Sequence, residues 1–306
     1  MEDSQRIHML QSPEHLVDVV IDTDTYNEVD DQFALAYLLK NQGRLRLQAI
    51  YAAPFLNEKA ETPGEGMEKS CQEIMNILDL ADAKQYKSSV FKGADHFLKE
   101  EKIAAASPAS RDLIERALSH SQENPLYVIG IAAATNIASA ILQEPAVKER
   151  IVVVWLGGSG FHCSGMEEFN MAEDLCAARV LFDSGVPLVQ LPCWGVVESF
   201  SLSRPEMEAY LSGKNKLADH LARYAIEEVE KWASGTVWAK VIWDVTAVAW
   251  LLNDRQRFMN DRIVPCPEIT SNGGYDFSRE RHSMKYVYRI ERDALMTDML
   301  KKLSMP

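Results

Sequence analysis

The stretch Val19-Val20-Ile21-Asp22-Thr23-Asp24-Thr25-Tyr26-Asn27-Glu28-Val29-Asp30-Asp31-Gln32-Phe33-Ala34-Leu35 is an apolar, β-branched run that breaks into acids and resumes as a helix-like pattern. The run begins at Leu16 and ends at Ile21, with the length and apolar content of a strand buried on both faces of a parallel sheet. Leu45 to Tyr51, Leu126 to Ile131, Ile151 to Leu156 and Pro187 to Leu191 have the same character. Helical patterns lie among them, clearest over Asp31 to Lys40, Gly66 to Leu80, Arg111 to His120, Asn136 to Gln143 and Ala172 to Ser184. Strands that alternate with helices form βαβ units. The predicted fold class is therefore α/β: one domain over residues 1–306, with a mostly parallel central sheet flanked by helices around a Rossmann-like core. Ligands of such sheets sit beyond the carboxyl ends of the strands, which singles out the segments after Ile21, Tyr51, Ile131 and Leu156.

The second half changes character. Pro205 to Trp232 reads as one or two charged amphipathic helices, Asp244 to Asn253 as a long helix and the Gly-rich, polar stretch Glu268 to Arg281 as a loop. Lys285 to Ile290 reads as a late strand and Arg292 to Leu303 as a last helix. No repeat or low-complexity tract divides the chain.

Lys and Arg number 32 and Asp and Glu 45, a formal net charge of −13. A surface this acidic disfavours non-specific attachment to nucleic acid or anionic membranes. The five cysteines (Cys71, Cys163, Cys176, Cys193 and Cys266) show no CxxC spacing, which argues against a zinc knuckle or disulfide framework and for reduced thiols. Met1 to Gln11 lacks the apolar stretch of a signal peptide, and no run approaches the ~18 apolar residues of a membrane span. The expected setting is the cytoplasm and the expected partner a small molecule.

Asp22, Asp24, Glu28, Asp30 and Asp31 crowd into the turn after the first strand. In a low-dielectric cleft their repulsion amounts to several kcal/mol unless a cation sits among them. Hard oxygen ligands suit calcium or magnesium, and calcium accepts the more irregular shell. A plainer reading exists for some of them: Asp30 and Asp31 can cap a helix and complement its dipole.

Further segments fall after later strands. Ala53-Pro54-Phe55-Leu56-Asn57 follows the second, and Ala134-Thr135-Asn136 follows Leu126 to Ile131, where Thr135 or Asn136 could equally be a helix N-cap. Gly157-Gly158-Ser159-Gly160 follows Leu156 without the Gly-Lys-Ser/Thr of a phosphate loop or the spacing of a dinucleotide fingerprint. Glu167-Glu168-Phe169-Asn170 comes next, and Ile242-Trp243-Asp244 precedes a helix.

Together these segments resemble the inosine–uridine-preferring nucleoside hydrolase family, in which a strand runs into Asp-x-Asp-Pro-Gly-x-Asp-Asp and a helix. This chain departs from the signature: Thr25 to Val29 make a longer turn and the Pro-Gly pair is absent. The resemblance implies calcium held by Asp24, Asp31, Asp244 and the Thr135 backbone carbonyl, with Asp24 as base for an attacking water. It implies ribose contacts from Asp30, Asn57, Glu168 and Asn170. Members often carry a further asparagine before the Glu-Phe-Asn segment, and Phe161-His162-Cys163-Ser164-Gly165 offers none. Many members place a histidine before the last acid. Trp243 stands there in this chain, as tryptophan does in purine-selective members, where it stacks on the base; Trp232 or Trp238 could lie nearby. The implied activity is hydrolysis of a ribonucleoside to ribose and free base by a homodimer or homotetramer.

Two other readings stay open. A chain with an altered turn and no such histidine could bind ribose or a nucleoside without turning it over. Asp22-Thr23-Asp24 also resembles the start of Asp-nucleophile phosphatases of the haloacid dehalogenase type. That motif wants Thr or Val where Tyr26 stands, and it leaves Glu168, Asn170 and Asp244 without a role.

Overall fold

The apolar run that leads into the acids is β1 (Val17–Thr23), near the middle of a large sheet in a computed structural model that describes residues 1–163 and 167–305. The other strands are β2 (Leu45–Ala52), β3 (Val90–Lys92), β4 (Leu126–Gly130), β5 (Ile151–Leu156), β6 (Leu188–Leu191), β7 (Ser201–Ser203), β8 (Ala239–Val241), β9 (Met259–Pro265), β10 (Glu268–Ile269), β11 (Tyr275–Asp276) and β12 (Ser283–Ile290). Eight of them pair in the order β3-β2-β1-β4-β5-β6-β12-β9. All neighbours are parallel except β12 and β9. The predicted α/β class with its mostly parallel sheet is what the chain forms.

The helices are α1 (Asp3–Met9), α2 (Asp30–Leu39), α3 (Pro63–Leu80), α4 (Pro108–Leu118), α5 (Thr135–Gln143), α6 (Phe169–Glu173), α7 (Leu175–Asp183), α8 (Arg204–Tyr210), α9 (Lys216–Ala233), α10 (Val245–Trp250) and α11 (Arg292–Ser304). They cover both faces of the sheet, and alternate strand residues feed two cores. Val19, Ile21, Ile129 and Val154 pack with Phe33, Leu35 and Trp250 on one side. Val20, Val128 and Val153 pack with Ile137, Leu181 and Phe182 on the other. Each such side chain taken from water contributes about 1.5–3 kcal/mol before the entropy of ordering it is counted.

Several expectations change in detail. The helix expected over Ala172 to Ser184 is two helices, because Asp174 leaves helical geometry and caps α7, accepting from the Ala177 N–H at 2.9 Å. The long helix expected from Asp244 is the short α10, with Asp244 itself as N-cap. The polar stretch after Glu268 contains the paired β10 and β11. Strand β9 is rich in polar residues because it lies at the sheet edge. Among the described residues, no helix is long and apolar enough to cross a membrane.

Candidate active site

Parallel pairing aligns the carboxyl ends of β1, β4 and β5, so the segments that leave them share one rim. There a cavity of ≈ 180 Å³ is lined by Asp24, Asp30, Asp31, Asn170, Trp243 and Asp244, among others. Asp24 leaves β1, Asp30 and Asp31 open α2, and Asp244 opens α10 from far along the chain. These four carboxylates are almost fully buried.

Asp30 and Asp31 do stand in the first turn of α2, where they complement its dipole, but neither caps it. The α2 N-cap is Val29, without a side-chain cap, and Asp244 makes no cap bond either. Asp31 instead accepts from the Thr23 hydroxyl at 2.6 Å, and Asp24 accepts from the Asn27 amide at 2.9 Å. Burial, then the charge of Asp31 and Glu173, holds the Asp24 carboxyl well above the usual range. Burial, then Asp31, Asp30 and Asp24, does the same to Asp244. Burial and the charge of Asp30 push Asp31 up to about 7. The carboxyls of Asp24, Asp31 and Asp244 are thus each pressed upward by their neighbours' charge in a buried setting.

As they stand, no three or more His, Cys, Asp or Glu side chains among the described residues are placed to hold a metal ion. The donor set still suits one in kind. Four carboxylates supply hard oxygens only, they press on one another's charge, and Asp30 Oδ1 is buried without a hydrogen-bond partner. A divalent cation would relieve that repulsion, and its binding would release any protons the carboxyls hold.

The remaining expected residues divide. Asn170 lines the cavity and anchors its amide on the Leu156 carbonyl at 3.0 Å. Glu168 also lines it, but its carboxylate is already engaged. It caps α6 through the Asn170 and Met171 N–H groups at 3.0 Å each, and it accepts from the Gly158 N–H at 2.6 Å and the Cys193 thiol at 3.4 Å. Gly158 reaches this bond with a left-handed φ of 73°, and a Cβ there would meet the Tyr275 hydroxyl at 2.2 Å, which explains the glycine turn after β5.

Asn57 lies outside the cavity, in an adjoining groove, and acts through a relay: its amide donates to Asn27 Oδ1 at 2.6 Å, and Asn27 holds Asp24. Thr135 is not brought to the cavity. It opens α5 and its hydroxyl donates to Asp174 at 2.7 Å, whereas Ile131, just beyond β4, does line the cavity. Asp22 turns to the far side of the sheet pleat, where Asn136 donates to it at 2.8 Å.

Trp243 forms one wall, with Trp194 edge-on to it at 5.3 Å between ring centres and 72° between planes. Trp194 follows β6, a strand end that no acid or glycine motif marks in the sequence. Trp232 lines the adjoining groove and is 74% exposed, while Trp238 packs against the core. Among the described residues no histidine lines the cavity, so neither His162 nor His282 supplies it with a ready imidazole acid. His282 is held neutral by burial and by Arg6 and Arg281, down to about 4. Of the loop expected to lack an asparagine, Ser164 and Gly165 lie outside the described residues.

A parallel α/β sheet with a carboxylate-floored cavity at its carboxyl rim defines the class: α/β proteins that take a small ligand at the strand ends. More particularly, the chain belongs to the inosine-uridine preferring nucleoside hydrolase family, whose model matches residues 19–296. It is 32% identical over 148 residues to the non-specific ribonucleoside hydrolase RihC of Shigella flexneri, a match covering 47% of this chain and 45% of that protein. The matched region thus spans about half the length of these curated relatives. In fold it is similar to a purine-preferring ribonucleoside hydrolase from Gardnerella vaginalis (TM-score 0.72, 18% identity, 94% of this chain and 98% of that one). It is also similar to an inosine-uridine preferring nucleoside hydrolase from Bacillus anthracis (TM-score 0.68, 15% identity, 94% and 99%).

Proposed function

We propose that this chain hydrolyses the N-glycosidic bond of ribonucleosides, with a preference for purines, to give ribose and free base. The observation that carries the reading is the convergence of Asp24, Asp30, Asp31 and Asp244 on the floor of a small cavity walled by Trp243 and Trp194. Asp24, Asp31 and Asp244 would hold a divalent cation, calcium in our reading, which when bound neutralises the cluster and makes water a better nucleophile at neutral pH. Ile131, in the turn that leads to Thr135, lines the same cavity.

Asp24 is the base that takes the proton of the attacking water, held by Asn27 and, through it, Asn57. Asp30 and Asn170 orient the ribose hydroxyls, with Glu168 bracing the wall beside them. Fixing the sugar in this way supplies much of the rate, and an oxocarbenium-like transition state gains from the carboxylates around it. Trp243 stacks on the base and Trp194 sets its plane.

The test is release of reducing sugar from a panel of purine and pyrimidine nucleosides, with and without a calcium chelator. Release from purine nucleosides that stops on chelation and returns with calcium supports the reading. Binding of nucleosides with no sugar released over hours would leave a binding protein instead. In the same assay Trp243→Ala should lose purine nucleosides selectively; an equal loss for all bases counts against the stacking role.

A further inference from the structure

The longer turn Thr25 to Val29 has so far a role only for Asn27. Its Glu28 meets Lys240, which rises from β8. The Lys240 Nζ also lies 3.5 Å from Asp30 Oδ1, the buried oxygen that has no hydrogen bond. Lys240 is well enclosed, with a side chain 17% exposed, and its backbone is fixed opposite Leu202 in the antiparallel pair β7–β8. The carboxylates facing it are Asp30, Glu28 and Asp244. The other lysines of the adjoining groove are occupied elsewhere: Lys59 on the Asn27 carbonyl and Glu228, Lys231 on Glu228. A fixed cation is thus inserted at one side of the carboxylate floor, and the added turn supplies the second anion that holds it there.

We propose that Lys240 is a positioning residue and a built-in counter-charge: it fixes Asp30 and the Glu28 turn, and it weakens the grip of the carboxylate cluster on a divalent cation. This rests on the metal reading above. Two like-signed charges within a few ångströms of the same carboxylates oppose each other. Removing the lysine charge should therefore tighten cation binding while loosening Asp30, two effects of opposite sign. A lysine that serves only to hold the fold would weaken both.

The experiment measures binding of calcium, and of terbium by its luminescence, to the full-length protein and to Lys240→Met, Lys240→Arg and Glu28→Gln, together with kcat and KM on the best nucleoside. Lys240→Met should bind the cation roughly tenfold more tightly and show a raised KM for nucleoside. Lys240→Arg, which keeps the charge, should stay within about twofold of the unaltered chain in cation affinity. Glu28→Gln, with one anion fewer beside the same lysine, should bind the cation more weakly. Unchanged or weaker binding in Lys240→Met, with thermal melting showing it folded, overturns this inference alone. If Lys240→Met fails to fold, the difference between Glu28→Gln, expected weaker, and Lys240→Arg, expected unchanged, decides: equal affinities in both overturn it. Absence of cation binding by the unaltered chain overturns both this inference and the metal reading.

Discussion

Asp24 is held by Asn27, and the charges of Asp31 and Glu173 press on it. Asp24→Asn keeps the shape and removes the base, so sugar release should fall by about 10²–10⁴-fold with an unchanged circular dichroism spectrum. Asn57→Ala should cost less, on the order of tenfold, because Asn57 acts only through Asn27. Glu173 makes a separate prediction. Burial pushes its carboxyl up to about 8, against an accepted bond from the Leu56 N–H at 2.6 Å. A raised folded value means that the protein loses stability as pH climbs from the ordinary glutamate range through about 8. Glu173→Gln keeps an acceptor and does not titrate. Its stability relative to the unaltered chain should therefore improve across that window, by about 1–3 kcal/mol in urea unfolding at pH 9 against pH 5. Asp24, Asp30 and Asp31 were readable from sequence because so many carboxylates beside an apolar run have no packing use, whereas Asp244, a lone acid before a helix, was singled out only through the family resemblance. Glu173, Trp194 and Lys240 were not: each gains its meaning only when a distant strand end or hairpin is folded next to Asp24 or Asp30.

Among the elements, the parallel strands were legible because burial on both faces leaves an unbroken apolar run, while β9, with Asn260, Asp261 and Arg262, looks like a loop until its pairing with β12 is seen. That pairing carries a buried ion pair: Lys285 on β12 lies 3.3 Å from Asp261 on β9, and the Trp250 indole N–H on α10 donates to the same aspartate at 2.9 Å. The three elements are thereby locked together, and Asp244 is the N-cap of α10. Lys285→Met leaves Asp261 buried without its cation and should destabilise the fold by about 3–5 kcal/mol. Adding Asp261→Asn, which still accepts from Trp250, should restore much of that loss in the same denaturant titration. If the double variant is no better than the single one, the pair is not the cause. Thr135 shows the opposite limit of sequence reading. A helix start after a strand was correctly located, but whether it or the strand end at Ile131 faces the cavity depends on how far the turn runs before α5 begins.

For the whole molecule, a cation that binds the native chain and not the unfolded one stabilises it by mass action, about 2.7 kcal/mol at a hundred times Kd. Calcium should raise the melting temperature by several degrees and a chelator should reverse it; a melting temperature indifferent to both would speak against the metal reading. The composition, at −13, bears on none of this, since the decisive charges are buried rather than displayed. The position of Asp244 also bears on time. It enters the carboxylate cluster more than two hundred residues after Asp31, and β12, still later, must be inserted between β6 and β9 to finish the sheet. Contacts of such long sequence separation are slow to form. We expect the donor set to be completed late, on the native side of the rate-limiting barrier. Calcium should leave the refolding rate almost unchanged and act on the reverse arm, lengthening the lifetime of the folded chain.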